Sequence, residues 1–494
     1  MTTLYSNQQN LQGPLCKATL VATCLATQIY PISYEDKMLA YTALNTGYEL
    51  IKKKEYTAAL PYLEKSVDLD PENVDAQVVF GDLLSKNDTS EKAILHYRIA
   101  DTLRPNNTAI IYRMVRAEKS SGHLTIARTL AQKLVLLEPD TVDFQVLLAR
   151  ICHDQQDFKN AIKIYLRIIA QYPTYATLDY VYEWLGYAYL NNGDWKKGWH
   201  TFEHIAHKKY KPTADQPWWQ QQDPTGKTLL IIEDGGFCEN PVYGYGYGDT
   251  FQALHYLKEF KKKNCTIIVQ ARRELIPLLS LCPYIDSLIE QGANQPRHDL
   301  QTTTGRIFQN VDTSPESIPQ DVPYLYAAPS LIQFWKNFLA HDTNIKIGLC
   351  WKSNDNNRSI PLQRFFPLTT IKGISLYSLQ KINGEFDAQE ISIIKFPEDF
   401  DKTHGRFMDT AAVMQNLNLV ITIDTSIAHL AGALGVPTWL LLPYNNDWRW
   451  LHMLDTTPWY PTMRLFRQTE QDDWQAVIDL VLQELKKVTQ TKTD

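Results

Sequence analysis

The 494-residue chain reads as two architectures in succession, an α-solenoid of helix pairs followed by an α/β region of two Rossmann-like halves. Three observations carry that expectation. Pro71, Pro105, Pro139 and Pro173 stand 34 residues apart, and Ala59, Ala93, Ala127 and Ala161 keep the same interval. Beyond residue 211, short β-rich runs alternate with amphipathic stretches, the pattern of parallel βαβ construction. The length also exceeds what one ordinary core organises, so two or three domains are expected.

In the first half each alanine lies twelve residues before its proline, and Gly47, Gly81 and Ala149 mark a further small-residue position. A small residue on one helix and an alanine on the next let the two helices approach closely. The proline ends the second helix, because it lacks an N–H and restricts the residue before it. Tyr56, Leu60, Leu63 and Val67 recur at helical spacing and need neighbouring helices to bury them. A 34-residue unit of this kind resembles the tetratricopeptide repeat. Four copies run from about residue 40 to 173, and a displaced fifth has Gly186 and Gly198 in the small and alanine positions. Such an array offers a concave surface for a peptide or protein, or a docking surface for another copy. His200, His204 and His207 share one face of the last repeat helix, which reads as a solvated face in preference to a metal site.

A net charge of -6 with no basic block excludes a nucleic-acid footprint. No apolar run approaches the about 18 residues that a membrane span requires. The segment 18–29 lacks a basic flank and reads as a short helix or loose arm instead of a cleaved signal. Seven cysteines without a CxxC pair fit reduced thiols in a cytoplasmic protein.

In the second half, residues 228–232, 266–270, 345–351, 374–380, 418–423 and 437–442 read as buried strands, and 291–329 as loop. The expected domains are an N-terminal arm over 1–36, repeats over 37–211, and Rossmann-like halves over 212–340 and 341–494. Two facing halves of this kind define the GT-B arrangement, with strand C-terminal ends lining a cleft.

Three stretches carry chemistry. After the strand at 228–232 comes a glycine-tyrosine loop containing Gly246 and Gly248 and ending in Asp249, before a helix expected over 250–260. Its glycines permit close backbone approach to a ligand, and the helix start offers free N–H groups. Read without function, the loop is mobile and Asp249 is the N-cap of the helix. The run from Trp351 to Ser359 leaves a strand with Lys352 and Arg358, cations suited to a diphosphate or simply to a polar turn. At the third, a strand ends at Ile423 and Asp424, Thr425 and Ser426 open a small-residue helix containing His429 and Gly432. There strand end, cap hydroxyls and helix dipole converge on an anion; the bland alternative is a capped buried helix.

The stretch from Asp424 through Asp447 and Trp450 to Gln468 closely resembles the C-terminal signature of tetratricopeptide-repeat glycosyltransferases related to the lipopolysaccharide heptosyltransferases. Glu233, Gly246-Tyr-Gly-Asp249-Thr-Phe-Gln252, Gly348 to Trp351, Arg358 to Ile360, Ser378 to Lys381 with Gln380, and Asp409 to Ala412 fall in the family's order. The resemblance spans about 216–485 and implies a GT-B glycosyltransferase. It implies Asp249 as general base and a donor site of Asp424, Thr425, Ser426, His429 and Gly432 assisted by Lys352 and Arg358. Gly246, Gly248, Gln380 and Asp447 fall on loops near that site. The implied chemistry is inverting displacement from a nucleotide sugar, with no metal or other cofactor. The acceptor is expected to be a protein held by the repeats, with a lipopolysaccharide or polysaccharide acceptor, or a non-catalytic nucleotide- or glycan-binding scaffold, as alternatives. Two departures fall on the acceptor side: extra residues over 234–245, and His255 where the family commonly has arginine.

Overall fold

The computed structural model describes residues 32–87, 89–209, 218–234, 246–381, 392–452 and 454–490. Two compact units divide between Ala176 and Thr177. The segment 18–29 and the loop residues 235–245, with Cys16, Cys24 and Cys238, lie outside the described residues.

The first unit is a run of helix pairs: α1 Tyr34–Lys52, α2 Tyr56–Leu69, α3 Val74–Lys86, α4 Ser90–Leu103, α5 Thr108–Ser120, α6 Leu124–Leu137, α7 Val142–Asp154 and α8 Phe158–Gln171. Helices α2, α4, α6 and α8 each stop two residues before the periodic proline. Ala59, Ala93, Ala127 and Ala161 are all 0% exposed, as close helix approach requires. The small position works by the same physics. A Cβ on Gly47 would meet Leu63 at 2.6 Å and one on Gly81 would meet Tyr97 at 2.6 Å, so each glycine is the socket for a side chain on its partner helix. Asn73 and Asn107 cap α3 and α5, accepting from Ala76 N at 3.0 Å and Ile110 N at 3.2 Å.

A fifth helix pair, α9 Leu178–Asn191 and α10 Trp195–Lys209, repeats the socket, since a Cβ on Gly186 would meet Phe202 at 2.8 Å. The sequence assigns this pair to the repeat domain ending at 211, yet it belongs to the compact unit of the α/β region. The reason is aromatic burial: Trp195 and Trp199 each meet Trp448 edge-on at 5.1 Å, and Trp199 Nε1 donates to Thr313 O at 2.7 Å.

The rest of this unit holds two all-parallel sheets. The first contains β1 Thr228–Ile232, β2 Thr266–Ala271, β3 Ser287–Glu290 and β4 Leu300–Thr303, in the order β3-β2-β1-β4. The second contains β5 Ile345–Cys350, β6 Ile374–Ser378, β7 Leu419–Ile423, β8 Thr438–Leu442 and β9 Met463–Arg467, in the order β6-β5-β7-β8-β9. Strand β4 corrects the expectation of loop over 291–329. Three of its four residues are polar, but all four are buried, and Thr302 Oγ1 donates to Asn310 at 2.5 Å, so neighbours supply what hydrophobicity does not. Strands β3 and β9 also escaped the strand reading; β3 is a four-residue edge.

Helices α11 Tyr247–Ala253 and α12 Leu257–Lys262 follow β1, and α13 Pro329–Phe338 leads to β5. Helix α14 Met408–Met414 precedes β7, α15 Ser426–Ala433 links β7 to β8, and α16 Trp474–Gln490 closes the chain. Leu229 and Ile231 of β1, Leu440 and Leu442 of β8, Leu430 of α15 and the α10 tryptophans share one buried cluster. The two sheets are therefore not separate globules. On the other face of the second sheet, Ile421 and Leu441 pack with Val477, Ile478 and Val481 of α16.

Candidate active site

In an open parallel sheet, ligand sites fall at the strand C-terminal ends where the winding direction reverses. Within the second sheet the order is equivalent to 2-1-3-4-5, so the reversal lies between β5 and β7. In the first sheet it lies between β1 and β4. The residues following those four strand ends are Trp351 and Lys352, Asp424, Glu233 and Asp234, and Thr304.

On the β5–β7 side, Asp424 is buried at the end of β7 and acts as a hub. Arg358 Nη1 donates to its main-chain O at 3.2 Å and reaches its Oδ2 at 3.5 Å, while His429 Nε2 stands 4.0 Å from its Oδ1. Thr425 is the N-cap of α15, accepting from Ile427 N at 3.3 Å, and Ser426 is the first helical residue. His429 lies in the first turn, with its Nδ1 2.9 Å from Tyr460 Oη and its ring stacked on Trp450 at 5.1 Å. Burial, reinforced by Arg449, pushes its pKa down to about 3, so the imidazole is neutral at ordinary pH.

Gln380 ties the β5 exit, accepting from Trp351 N at 3.2 Å and Lys352 N at 3.0 Å and donating to Lys352 O at 3.0 Å. It orients backbone. Gly432 is also explained by packing, because a Cβ there would meet the Tyr460 ring at 2.4 Å.

On the β1 side, Glu233 is buried and paired with Arg272, whose main-chain N and Nε each donate to it at 2.8 Å. Asp234 spans the β1–β4 gap, accepting from Thr304 Oγ1 at 2.9 Å and Gly305 N at 3.2 Å. Helix α11 begins at Tyr247 with Gly246 as its N-cap, so Asp249 sits inside the first turn and is not itself the cap. The expected helix over 250–260 is thus an earlier helix, α11, broken from α12 by a tighter turn over 254–256.

Helix α11 packs directly on α15: a Cβ on Gly248 would meet His429 Cδ2 at 2.6 Å. Only glycine lets the Asp249 backbone come this close to the β7–α15 junction. Asp249 then faces Arg449, whose guanidinium donates to Asp249 Oδ1, to Asp447 Oδ1 at 2.8 Å and to Gln252 Oε1 at 2.7 Å. Asp447 also caps the turn 448–450, accepting from Arg449 N at 3.0 Å. Asp249 Oδ2 carries no hydrogen bond from the described residues, and the side chain is 16% exposed. Burial raises its pKa to about 6, against Arg449 and assisted by the charges of Asp447, Asp234 and Asp424.

Asp249, Arg358, Asp424, Thr425, His429 and Asp447 thus come together with Gly248, while Gln380 and Gly432 support from behind. Arg449 and Tyr460 were not singled out from the sequence, and Gln252 entered only as the end of a motif, without a role. The available signal was an arginine between two tryptophans, Trp448-Arg449-Trp450, which marks a buried charge. His255, standing where the resembled family commonly has arginine, is buried and stacked on Tyr324 at 4.5 Å, and burial pushes its pKa down to about 4. Of the three histidines on α10, His200 pairs with Glu203 at 3.0 Å and His204 stacks on Tyr182 at 4.5 Å.

Comparisons with known proteins bear on both regions. Residues 40–73 and 112–176 match tetratricopeptide-repeat family models. Protein FlbA of Caulobacter vibrioides is 24% identical over 325 residues, covering 59% of this chain and 52% of FlbA. The chain therefore spans about half the length of that relative. Among solved structures, MamA from Desulfovibrio magneticus RS-1 is 15% identical with a TM-score of 0.33, covering 37% of this chain and 100% of that one. YrrB, described as a TPR protein with an unusual peptide-binding site, is 15% identical with a TM-score of 0.30, covering 33% of this chain and 83% of that one. Scores this low carry no argument about architecture, and the helix pairs rest on the repeat geometry itself. No helix among the described residues is long and apolar enough to cross a membrane.

Proposed function

We propose that residues 177–494 form a glycosyltransferase of GT-B type that moves a sugar from a nucleotide-sugar donor to an acceptor hydroxyl with inversion. The observation that carries this reading is the meeting of Asp249, whose Oδ2 takes no hydrogen bond from the described residues, and the Arg358–Asp424–α15 junction at the C-terminal ends of two parallel sheets. In the reaction, Asp249 Oδ2 accepts the acceptor hydroxyl proton as that oxygen bonds to the anomeric carbon. The bond from that carbon to the diphosphate oxygen breaks, and the electron pair leaves with the diphosphate. Arg358, Lys352 and the positive end of the α15 dipole receive its charge, so the cycle uses protein cations in place of a metal. Asp424 is itself anionic, so its fit is to orient Arg358 and accept from donor hydroxyls, not to touch phosphate. A pKa of about 6 leaves Asp249 ionised near neutrality while keeping it basic enough to take a proton.

The repeat array has the character of a protein-interaction scaffold, which favours a protein acceptor over a lipopolysaccharide or polysaccharide. Asp249→Asn tests the base: sugar transfer falls by about 10²–10⁴-fold while nucleoside diphosphate binding persists. Full transfer by that variant would remove Asp249 from the chemistry. A thermal-shift panel of nucleotide sugars identifies the donor, because a bound donor stabilises the fold by mass action. One observation favours a second reading, a nucleotide- or glycan-binding scaffold without catalysis: Asp249 is engaged by Arg449. Under it, no donor in the panel yields free nucleoside diphosphate.

A further inference from the structure

Arg449 lies on the turn after β8, whereas Asp249 and Gln252 lie on α11, beyond the C-terminal end of β1. Its fork is fully committed: Nε to Gln252, Nη1 to Asp447 and Nη2 to Asp249, with the guanidinium carbon 4.6 Å from the centre of the Trp448 ring. The arginine side chain is 8% exposed. Asp447 holds the arginine from its own turn, and Trp448 is itself fixed edge-on by Trp195 and Trp199 of the fifth helix pair. A rigid planar fork with three acceptors in different directions has little freedom to rotate. It engages Oδ1 of Asp249, and Oδ2 takes no hydrogen bond from the described residues.

We propose that Arg449 is the positioning residue for Asp249, clamping one carboxylate oxygen so that the other is aimed at the reacting hydroxyl, and that Gln252 and Asp447 set the angle of the clamp. The proposal rests on the reading of Asp249 as the base. It assigns a use to the Trp-Arg-Trp turn, which joins the β8 side of the cleft to α11. Asp447, Asp234, Asp424 and Tyr187 of α9 also face this group electrostatically, so Arg449 is the cation that offsets a predominantly acidic surround.

Isotope-edited infrared titration of the full chain labelled at aspartate tests it, with the Asp249 band assigned by its loss in Asp249→Asn. In the native protein the band is expected to titrate above the ordinary aspartate range, near pH 6. In Arg449→Gln the midpoint rises by at least about one pH unit, a tenfold change in proton affinity, and Arg449→Lys gives an intermediate rise because charge stays but the fork is lost. Gln252→Leu keeps the charge and frees one arm, and it also raises the midpoint; it decides the matter if Arg449→Gln does not fold. An unmoved midpoint in whichever of these variants fold overturns the proposal, because Arg449 would then not couple to this carboxyl; a moved midpoint with kcat unchanged at saturating substrates overturns it equally, because a merely structural ion pair shifts the titration without aiming the second oxygen. If the midpoints move while Asp249→Asn still transfers sugar, the clamp stands and the base assignment falls. If Asp249→Asn is inactive and the midpoints stay, the reverse holds.

Discussion

Residues 32–176 close their interior with alanines and glycines that admit a partner helix, whereas residues 177–494 bury charge. Among the described residues of the repeat unit, the buried carboxylate is Glu118, and it is met by Arg98 and His123, each at 2.7 Å. Gln77 and Gln145, two repeats apart, spend their amides on the turn carbonyls of Pro71 and Pro139 at 2.9 and 2.7 Å. Those buried polar groups bond to adjacent helices and their turns and serve the array. In the α/β unit, Glu233, Arg272, Asp424 and Arg449 are buried at strand ends or on the turn after one, and each has a charged partner at least 39 residues away. Buried charge costs stability unless paired, and its concentration near these strand ends coincides with the candidate site.

That contrast can be broken experimentally, because all 12 tryptophans lie in 177–494. Tryptophan fluorescence therefore reports the α/β unit, while far-ultraviolet circular dichroism is weighted towards the helical repeats. The largest effect is expected for Arg272→Ala, which strands the buried Glu233 carboxylate. It lowers the fluorescence-detected stability in urea by about 3–5 kcal/mol and leaves the repeat transition in place. Equal loss in both signals would mean that the two units unfold together.

Next comes pH. His429 has a folded pKa of about 3 against an ordinary 6.5, so its proton is taken up preferentially by the unfolded chain. The neutral form's contribution is fully present above pH 6.5 and is lost as pH falls towards 3; at pH 5 the deficit is about 2 kcal/mol. The fluorescence midpoint should fall between pH 6.5 and 5, and His429→Phe should flatten that fall. A pH-independent midpoint in the native protein would place the titration elsewhere.

Gly432→Ala sharpens the comparison at similar or smaller size. Its Cβ would meet the Tyr460 ring at 2.4 Å, a rigid neighbour that also bonds His429, so a loss of about 1–3 kcal/mol is expected by thermal melting. Gly47→Ala in the repeats meets the Leu63 side chain instead, which has rotamers to yield, and its loss should be smaller.

The sequence alone determined the repeat phase, six of the strands to within two residues, and the strand–helix junction at Asp424. All are local: a 34-residue period, an apolar run or a strand–helix switch leaves its mark in adjacent positions. Tertiary structure decided the rest. Polar β4 is a strand because of what surrounds it, Gly432 is a socket for a ring 28 residues away, and the fifth helix pair belongs to the unit whose tryptophans it meets. Arg449 finds Asp249 across 200 residues of chain. Pairings of that range depend on how sheets and helices pack, and no local pattern encodes which distant carboxylate a buried guanidinium will face.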